Sequence, residues 1–247
     1  MNYKLVLDQG GENARALIVD DRGALVNACE REFDFIPIHG KMEETEDVWE
    51  TQLAAVRDVI SSTDIALDEL SSFCIINRQQ QVLLWSRDTG RLVDTQPFCH
   101  TYRTSVCIRK QPDQLDGFKR EICEHTGLPL NYAFNAKFFR WFDVFPRYFG
   151  LADDVYWGTE DIWLIFRLTD GREHVTDLSH ALGTALVDPE TQDWNSEAMD
   201  PGEIARFPRI IPDGTVIGET SPEYFGRPIP IVVGATEESL GISTQGA

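Results

Sequence analysis

Three strand-like segments occupy the first 33 residues of the chain, before any helical pattern appears. Residues 3–8 and 14–20 are short apolar runs, and the turn Asp21-Arg22-Gly23 separates the second run from a third over 24–33. A helix and further strands follow them. The predicted order is thus three strands, a helix and then strands again.

The helix is predicted from a stripe of apolar residues. Thr45 is placed to cap it, and Trp49, Leu53, Val56 and Ile60 recur at helical spacing. Strong helical patterns return between 111 and 170, where one helix is predicted to start after Thr159. Residues 187–227 are rich in Pro, Asp, Glu and Gly and are predicted as loops with short helices. Residues 234–239 are predicted to lead into a last helix, and the remaining predicted strands are 72–77, 82–86 and 229–233.

Charge excludes one class of partner. The 247 residues include 41 acidic and 22 basic residues, which gives a formal net charge of -19. No basic cluster interrupts this excess, so a nucleic acid partner is not expected. The length suits one large domain or two small ones, and the 42% of hydrophobic residues is ordinary for a globular chain.

The spacing of the cysteines bears on the redox compartment, and the length of the apolar runs bears on membrane insertion. The five cysteines form no C-x-x-C pair, and the five histidines form no H-E-x-x-H pattern. The longest apolar runs are much shorter than the roughly 20 residues that span a bilayer, and Asp8 and Glu12 interrupt the only apolar run near the start. We therefore expect a soluble cytoplasmic protein with no membrane partner.

Two acidic positions are candidates for chemistry. Asp8 ends the first predicted strand, and Gly10 and Gly11 after it would let a phosphate approach the backbone. Glu237 follows the last predicted strand, where α/β proteins place catalytic bases. The residues alone leave a simpler interpretation open for each: an ordinary hairpin turn at Asp8, and a solvated acidic first helical turn at Glu237.

A resemblance to a known family raises both candidates together. Nine segments match in order and spacing the glycerol kinases, which belong to the FGGY family of carbohydrate kinases. The resemblance runs from about residue 3 to about residue 240. The segments include Leu7-Asp8-Gln9-Gly10, Val48-Trp49-Glu50-Thr51-Gln52, Asp161-Ile162-Trp163-Leu164-Ile165 and His174-Val175-Thr176-Asp177.

The resemblance implies a fold and a domain plan. Members have two ribonuclease-H-like domains, as in actin, hexokinase and Hsp70, each with a mixed sheet flanked by helices. Residues 1–247 resemble the N-terminal domain alone, without the C-terminal nucleotide domain. Family members move the γ-phosphoryl group of ATP to a polyol hydroxyl, with the N-terminal domain supplying most of the polyol contacts and the general base.

At the phosphate turn the resemblance carries over only part of the family pattern. Asp8, Gly10 and Arg15 match Asp-Gln-Gly-Thr-Thr-Ser-x-Arg, whereas Gly11 and Glu12 stand where the family has threonines. The carboxylate of Glu12 would face an anionic phosphate, which is a repulsive contact. ATP and Mg²⁺, with Mg²⁺ at Asp8, are thus expected only if a C-terminal domain pairs with this chain.

The substrate positions have also changed. Gln79 and Gln80 replace the arginine and glutamate that grip two hydroxyls, which turns charge-assisted hydrogen bonds into weaker neutral ones. Cys99 and His100 replace a Trp-Gln pair that closes the pocket, and Tyr132 lies one position from the substrate tyrosine. Glu237 aligns with the catalytic aspartate, and its longer side chain moves the carboxylate enough to impair a tuned site.

Two functional interpretations remain open. In the first, the chain is a degenerate, non-catalytic member that keeps weak polyol or sugar binding and acts in regulation or assembly, as a homo-oligomer or with another chain. In the second, it is the substrate half of an active kinase, completed by a C-terminal domain or by a nucleotide-binding partner chain. The changed residues favour the first.

Overall fold

The computed structural model describes residues 2–8, 13–32, 43–76, 82–91, 155–183, 187–188, 190–196 and 204–242. The strands are β1 Tyr3–Asp8, β2 Asn13–Val19, β3 Leu25–Glu32, β4 Leu70–Ile76, β5 Val82–Ser86, β6 Val155–Thr159, β7 Val175–Asp177, β8 Val187–Asp188, β9 Asp193–Trp194, β10 Arg209–Ile211, β11 Val216–Glu219 and β12 Pro230–Val232. The helices are α1 Glu43–Ser61, α2 Glu160–Leu168, α3 Leu178–Gly183, α4 Pro222–Phe225 and α5 Glu237–Leu240, with a short 3₁₀ helix over Leu67–Glu69. Across these ranges, no helix is both long and apolar enough to cross a membrane.

A mixed six-stranded sheet forms the centre of the structure. Its strand order is β11-β12-β4-β1-β2-β3. β1, β4 and β12 run parallel to one another, whereas β2, β3 and β11 pair antiparallel with their neighbours. Smaller two-stranded sheets pair β5 with β6, β7 with β10 and β8 with β9. The predicted α/β class with a mixed sheet flanked by helices is confirmed.

Alternation along the strands divides the core between the two faces of the sheet. Leu5 and Leu7 of β1 belong to the larger cluster, which also contains buried residues of α1 and α2. Val6 points to the opposite face and joins a smaller cluster with Ala235 and Leu240 beside α5. Helices therefore cover both faces, which fixes the side of the sheet on which each strand-end residue lies.

Helix α1 buries the predicted stripe but begins earlier than expected. Trp49, Leu53 and Val56 are each at most 4% exposed and pack in the larger cluster, with Ile60 partly buried against it. The helix starts at Glu43, so the prediction that Thr45 caps it is wrong. Good helix formers at 43 and 44 extend the helix past the first available cap.

The bounds of the predicted strands hold within one or two residues, but further strands occur where none was predicted, among them β6 within the stretch 111–170 that was predicted as helical. β1 and β5 match their predicted ranges, and α2 follows Thr159 as expected. Residues 187–227, predicted as loops with short helices, also contain β8, β9, β10 and β11. β10 and β11 are three and four residues long and pair with β7 and β12, which are long-range contacts that the local sequence pattern does not reveal. The helices predicted within 111–145 lie outside the described residues.

Two buried tryptophans offer a matched comparison of hydrogen bonding. Trp163 Nε1 donates to the carbonyl of Gly90 at 2.8 Å, whereas Trp85 Nε1 has no partner among the residues that the structure describes. Replacing either by phenylalanine removes the same volume. We expect Trp163→Phe to lower the free energy of unfolding by about 1–3 kcal/mol more than Trp85→Phe, because it leaves the buried carbonyl of Gly90 without this hydrogen bond. Urea denaturation measures both, and equal losses would contradict this assignment.

Candidate functional site

Asp8 and Arg15 form the centre of the candidate site. Asp8 is the last residue of β1 and only 5% exposed. Arg15 lies directly opposite on β2, because the two residues are partners in the antiparallel register. Arg15 Nη1 lies 3.8 Å from Asp8 Oδ2. The hairpin between β1 and β2 thus presents a largely buried carboxylate beside a half-exposed guanidinium.

The ends of β1 and β4 lie side by side at the edge of the sheet that carries Asp8. Asp8 is level with Ile76, the last residue of β4, and Asn77 follows it in the chain. The carboxyl edge of parallel strands is where α/β folds bind ligands. The other residues predicted for the phosphate and substrate sites lie outside the described residues: Gly10, Gly11, Gln79, Gln80, Cys99, His100 and Tyr132.

Glu237 begins helix α5 and its backbone is firmly held. Thr236 Oγ1 accepts a hydrogen bond from the amide of Ser239 at 3.0 Å, and Ser239 Oγ accepts one from the amide of Thr236 at 2.8 Å. This reciprocal pair is a capping box. The carbonyl of Glu237 also accepts a bond from the amide of Ile242 at 2.8 Å. The half-buried Glu237 side chain therefore starts from an ordered turn.

The end of helix α5, three to four residues after Glu237, contacts a turn distant from Arg15. The backbone of Leu240 and Gly241 packs directly on Gly23, in the turn after β2. This turn is at the opposite end of β2 from Arg15, and the strand between Arg15 and Val19 alone covers roughly 13 Å at about 3.3 Å per residue. The structure therefore joins Asp8 to Arg15, and anchors α5 towards the far end of the same strand.

Comparison with known proteins decides the family. Residues 3–242 match the model of the N-terminal domain of the FGGY family of carbohydrate kinases. The chain belongs to this family. It is 30% identical to glycerol kinase 2 of Thermotoga maritima, over 99% of this chain and 50% of that protein. It is 33% identical to glycerol kinase of Bordetella pertussis, over 93% of this chain and 46% of that protein.

Solved structures agree with the FGGY fold. Gluconate kinase of Lactobacillus acidophilus superposes with a TM-score of 0.66 at 18% identity, over 96% of this chain and 48% of that one. Glycerol kinase of Plasmodium falciparum, solved with ADP, superposes with a TM-score of 0.62 at 19% identity, over 94% of this chain and 48% of that one. The FGGY chain therefore spans about half the length of the relatives it matches, in the region of their N-terminal domain.

Three buried acidic residues form a feature that the sequence did not single out for chemistry. Glu160, Asp161 and Asp177 are each at most 3% exposed. Burial raises the pKa of Glu160 to about 8, against the opposing effect of a hydrogen bond that Gln52 Nε2 donates at 2.9 Å. Burial also acts to raise the pKa of Asp177, but hydrogen bonds and charge from His180 outweigh it and hold that pKa below its usual range. The one sequence signal for this feature is the pair Glu160-Asp161 directly before an apolar run.

We expect the Asp8–Arg15 pair to contribute measurably to folding. Arg15→Leu should lower the free energy of unfolding by about 1 kcal/mol, because a guanidinium beside a buried carboxylate is lost. In an Asp8→Asn background the same change should cost less, with a coupling of about 0.5–1 kcal/mol. Urea denaturation of the four proteins gives this coupling. Strictly additive effects would show that the two side chains do not interact.

Proposed function

We propose that this chain is a substrate-side FGGY domain that binds a polyol or sugar at the carboxyl edge of β1, β4 and β12 and does not transfer phosphoryl groups by itself. The observation that carries the proposal is the ion pair of Asp8 and Arg15 at the end of β1. A carboxylate and a guanidinium at this edge supply an acceptor and a donor for hydroxyl groups.

Two sets of changed residues disfavour catalysis by this chain alone. Phosphoryl transfer depends on positioning and charge neutralisation, so the loss of a few polar groups abolishes it. Glu12 adds a negative charge beside the phosphate turn, and Gln79 and Gln80 lack the charges that grip hydroxyls in the family.

A second function is favoured by the length of the relatives. The FGGY chain covers 50% of glycerol kinase 2 of Thermotoga maritima. It would then be the substrate half of an active kinase, and a C-terminal domain or partner chain would supply the nucleotide site. Asp8 fits Mg²⁺ there, because its carboxylate oxygens are the ligands that this ion prefers and lie at a ligand-binding edge. The ion would neutralise phosphate charge, and Arg15 would hold Asp8 in place.

Binding is tested by thermal denaturation with a panel of polyols and sugars, followed by titration calorimetry of any hit. We expect one class of ligand to raise the melting temperature of the wild type and to lose at least tenfold in affinity in Arg15→Leu and in Gln79→Ala. Asp64→Asn, on the loop after α1, is the matched surface control. No hit, or a hit that both site variants retain, would contradict a substrate site at this edge.

A further inference from the structure

Two buried carboxylates and one imidazole meet between α2 and α3. Asp161 lies in the first turn of α2, Asp177 ends β7, and His180 lies in α3. The side chains of Asp161 and Asp177 are 5% and 2% exposed, and that of His180 is 12% exposed. The cluster thus combines two oxygen ligands and one nitrogen ligand, with a small opening at the imidazole.

The donor atoms converge on the imidazole. His180 Nδ1 lies 2.5 Å from Asp177 Oδ2 and 4.0 Å from Asp161 Oδ2. All three atoms lie within 4.8 Å of one another. Ligands about 2.0–2.2 Å from a tetrahedral cation are roughly 3.4 Å apart. Shifts of about 1 Å, within the reach of side-chain rotation, would bring the three atoms to that spacing.

The remaining oxygen of each carboxylate is already held from outside this donor set. The hydroxyl of Thr159 donates to Asp161 Oδ1 at 2.6 Å, and the backbone amide of His180 donates to Asp177 Oδ1 at 2.9 Å. Thr159 itself is 1% exposed. Outer hydrogen bonds of this kind orient the ligands of metal sites. Each aspartate is therefore turned so that its Oδ2 atom faces the same nitrogen.

Charge and donor type indicate which ion would fit. Two ionised carboxylates carry two negative charges, and one imidazole balances at most one of them. Buried charges in proteins are paired or coordinate metals, and one divalent cation between the carboxylates compensates both. Imidazole nitrogen with carboxylate oxygen suits Zn²⁺ and Co²⁺, whereas Ca²⁺ and Mg²⁺ favour oxygen ligands alone.

We propose that Asp161, Asp177 and His180 form a binding site for a divalent transition-metal cation of the Zn²⁺ or Co²⁺ type. The three side chains supply three ligands, and the opening at His180 leaves a fourth position for water. The bound ion would tie the start of α2 to the start of α3. This proposal is independent of the proposed substrate site.

The test uses the whole chain, freed of metal with a chelator and then titrated with Co²⁺ and with Zn²⁺. We expect one ion per chain by equilibrium dialysis with elemental analysis, a raised melting temperature, and a visible Co²⁺ spectrum without the charge-transfer band of a thiolate ligand. Asp161→Asn and His180→Gln should each weaken binding at least tenfold. Asp213→Asn, which changes a carboxylate bonded to the neighbouring Ser179, should leave binding unchanged.

Several results would overturn the site. These are the absence of saturable binding, binding that survives both variants, or a thiolate band that assigns the ion to cysteine. They would show that the cluster is held by hydrogen bonds alone. Circular dichroism of each variant tests whether it is folded. Both replacements are close in size to the natural side chains. If one variant fails to fold, the other still tests the site.

Discussion

Replacing Trp49 by alanine is expected to remove most of the stability of the domain. Trp49 is 2% exposed and packs edge-on against Trp163 and Tyr224, with ring centroids 6.0 and 5.4 Å away. The guanidinium of Arg167 lies 4.5 Å from its ring centroid. Trp49 therefore links α1 to both α2 and α4. Loss of a buried tryptophan costs about 3–5 kcal/mol, a large share of the 5–15 kcal/mol that is typical of a whole domain.

The measurement is urea denaturation followed by circular dichroism. Leu25→Ala is the matched control, because Leu25 is apolar but 54% exposed on β3. We expect that control to change the free energy of unfolding by less than about 0.5 kcal/mol. Trp49→Phe should fall between the two, since it keeps an aromatic ring in the same place. Equal losses for Trp49→Ala and Leu25→Ala would contradict the packing of Trp49 against α2 and α4.

The second large effect is expected at Gly23, where the turn after β2 meets the end of α5. A Cβ atom on Gly23 would lie 2.4 Å from the carbonyl oxygen of Leu240 and 2.5 Å from Gly241, both of them backbone. Gly23 also has a φ of +80°, which side chains rarely adopt. Gly23→Ala should therefore cost about 2–4 kcal/mol, from strain and from displacement of the α5 segment.

Gly226→Ala separates the two causes. Gly226 has the same φ of +80°, but a Cβ there would meet nothing within 4 Å. We expect this control to lose only about 1 kcal/mol, from strain alone. Hydrogen exchange at the amide of Ile242, which bonds the carbonyl of Glu237, should accelerate in Gly23→Ala and stay unchanged in Gly226→Ala. Equal stability losses, with Ile242 equally protected in both, would show that α5 is not anchored on Gly23.

Elements defined by local pattern could be predicted, and those defined by distant partners could not. Alternation and helical spacing placed β1 and the apolar stripe of α1, because each property repeats over five or more residues. β10 could not be predicted, because three residues are too few for an alternating apolar pattern and the strand depends on β7 for its hydrogen bonds. The start of α1 was misplaced because a good cap at Thr45 does not stop a helix from beginning earlier.

The candidate site shows the same division. Asp8 could be predicted from its place at the end of a buried strand, and its pairing with Arg15 follows from the register of a hairpin. The burial of Glu160 and Asp161 could not be predicted, because acidic residues in the first turn of a helix are usually exposed to solvent, where they interact favourably with the helix dipole. Their environment depends on Gln52 and His180, which lie 108 and 19 residues away in the chain.

The most direct test of the account is an assay of ATP-dependent phosphorylation. The purified chain is incubated with ATP, Mg²⁺ and a panel of polyols and sugars, with glycerol kinase 2 of Thermotoga maritima and glycerol as the positive control. We predict no product above the level given by the Glu237→Ala variant. Phosphorylation of any acceptor by the wild-type chain that disappears in Glu237→Ala would contradict the account and show that this FGGY domain is a catalyst in its own right.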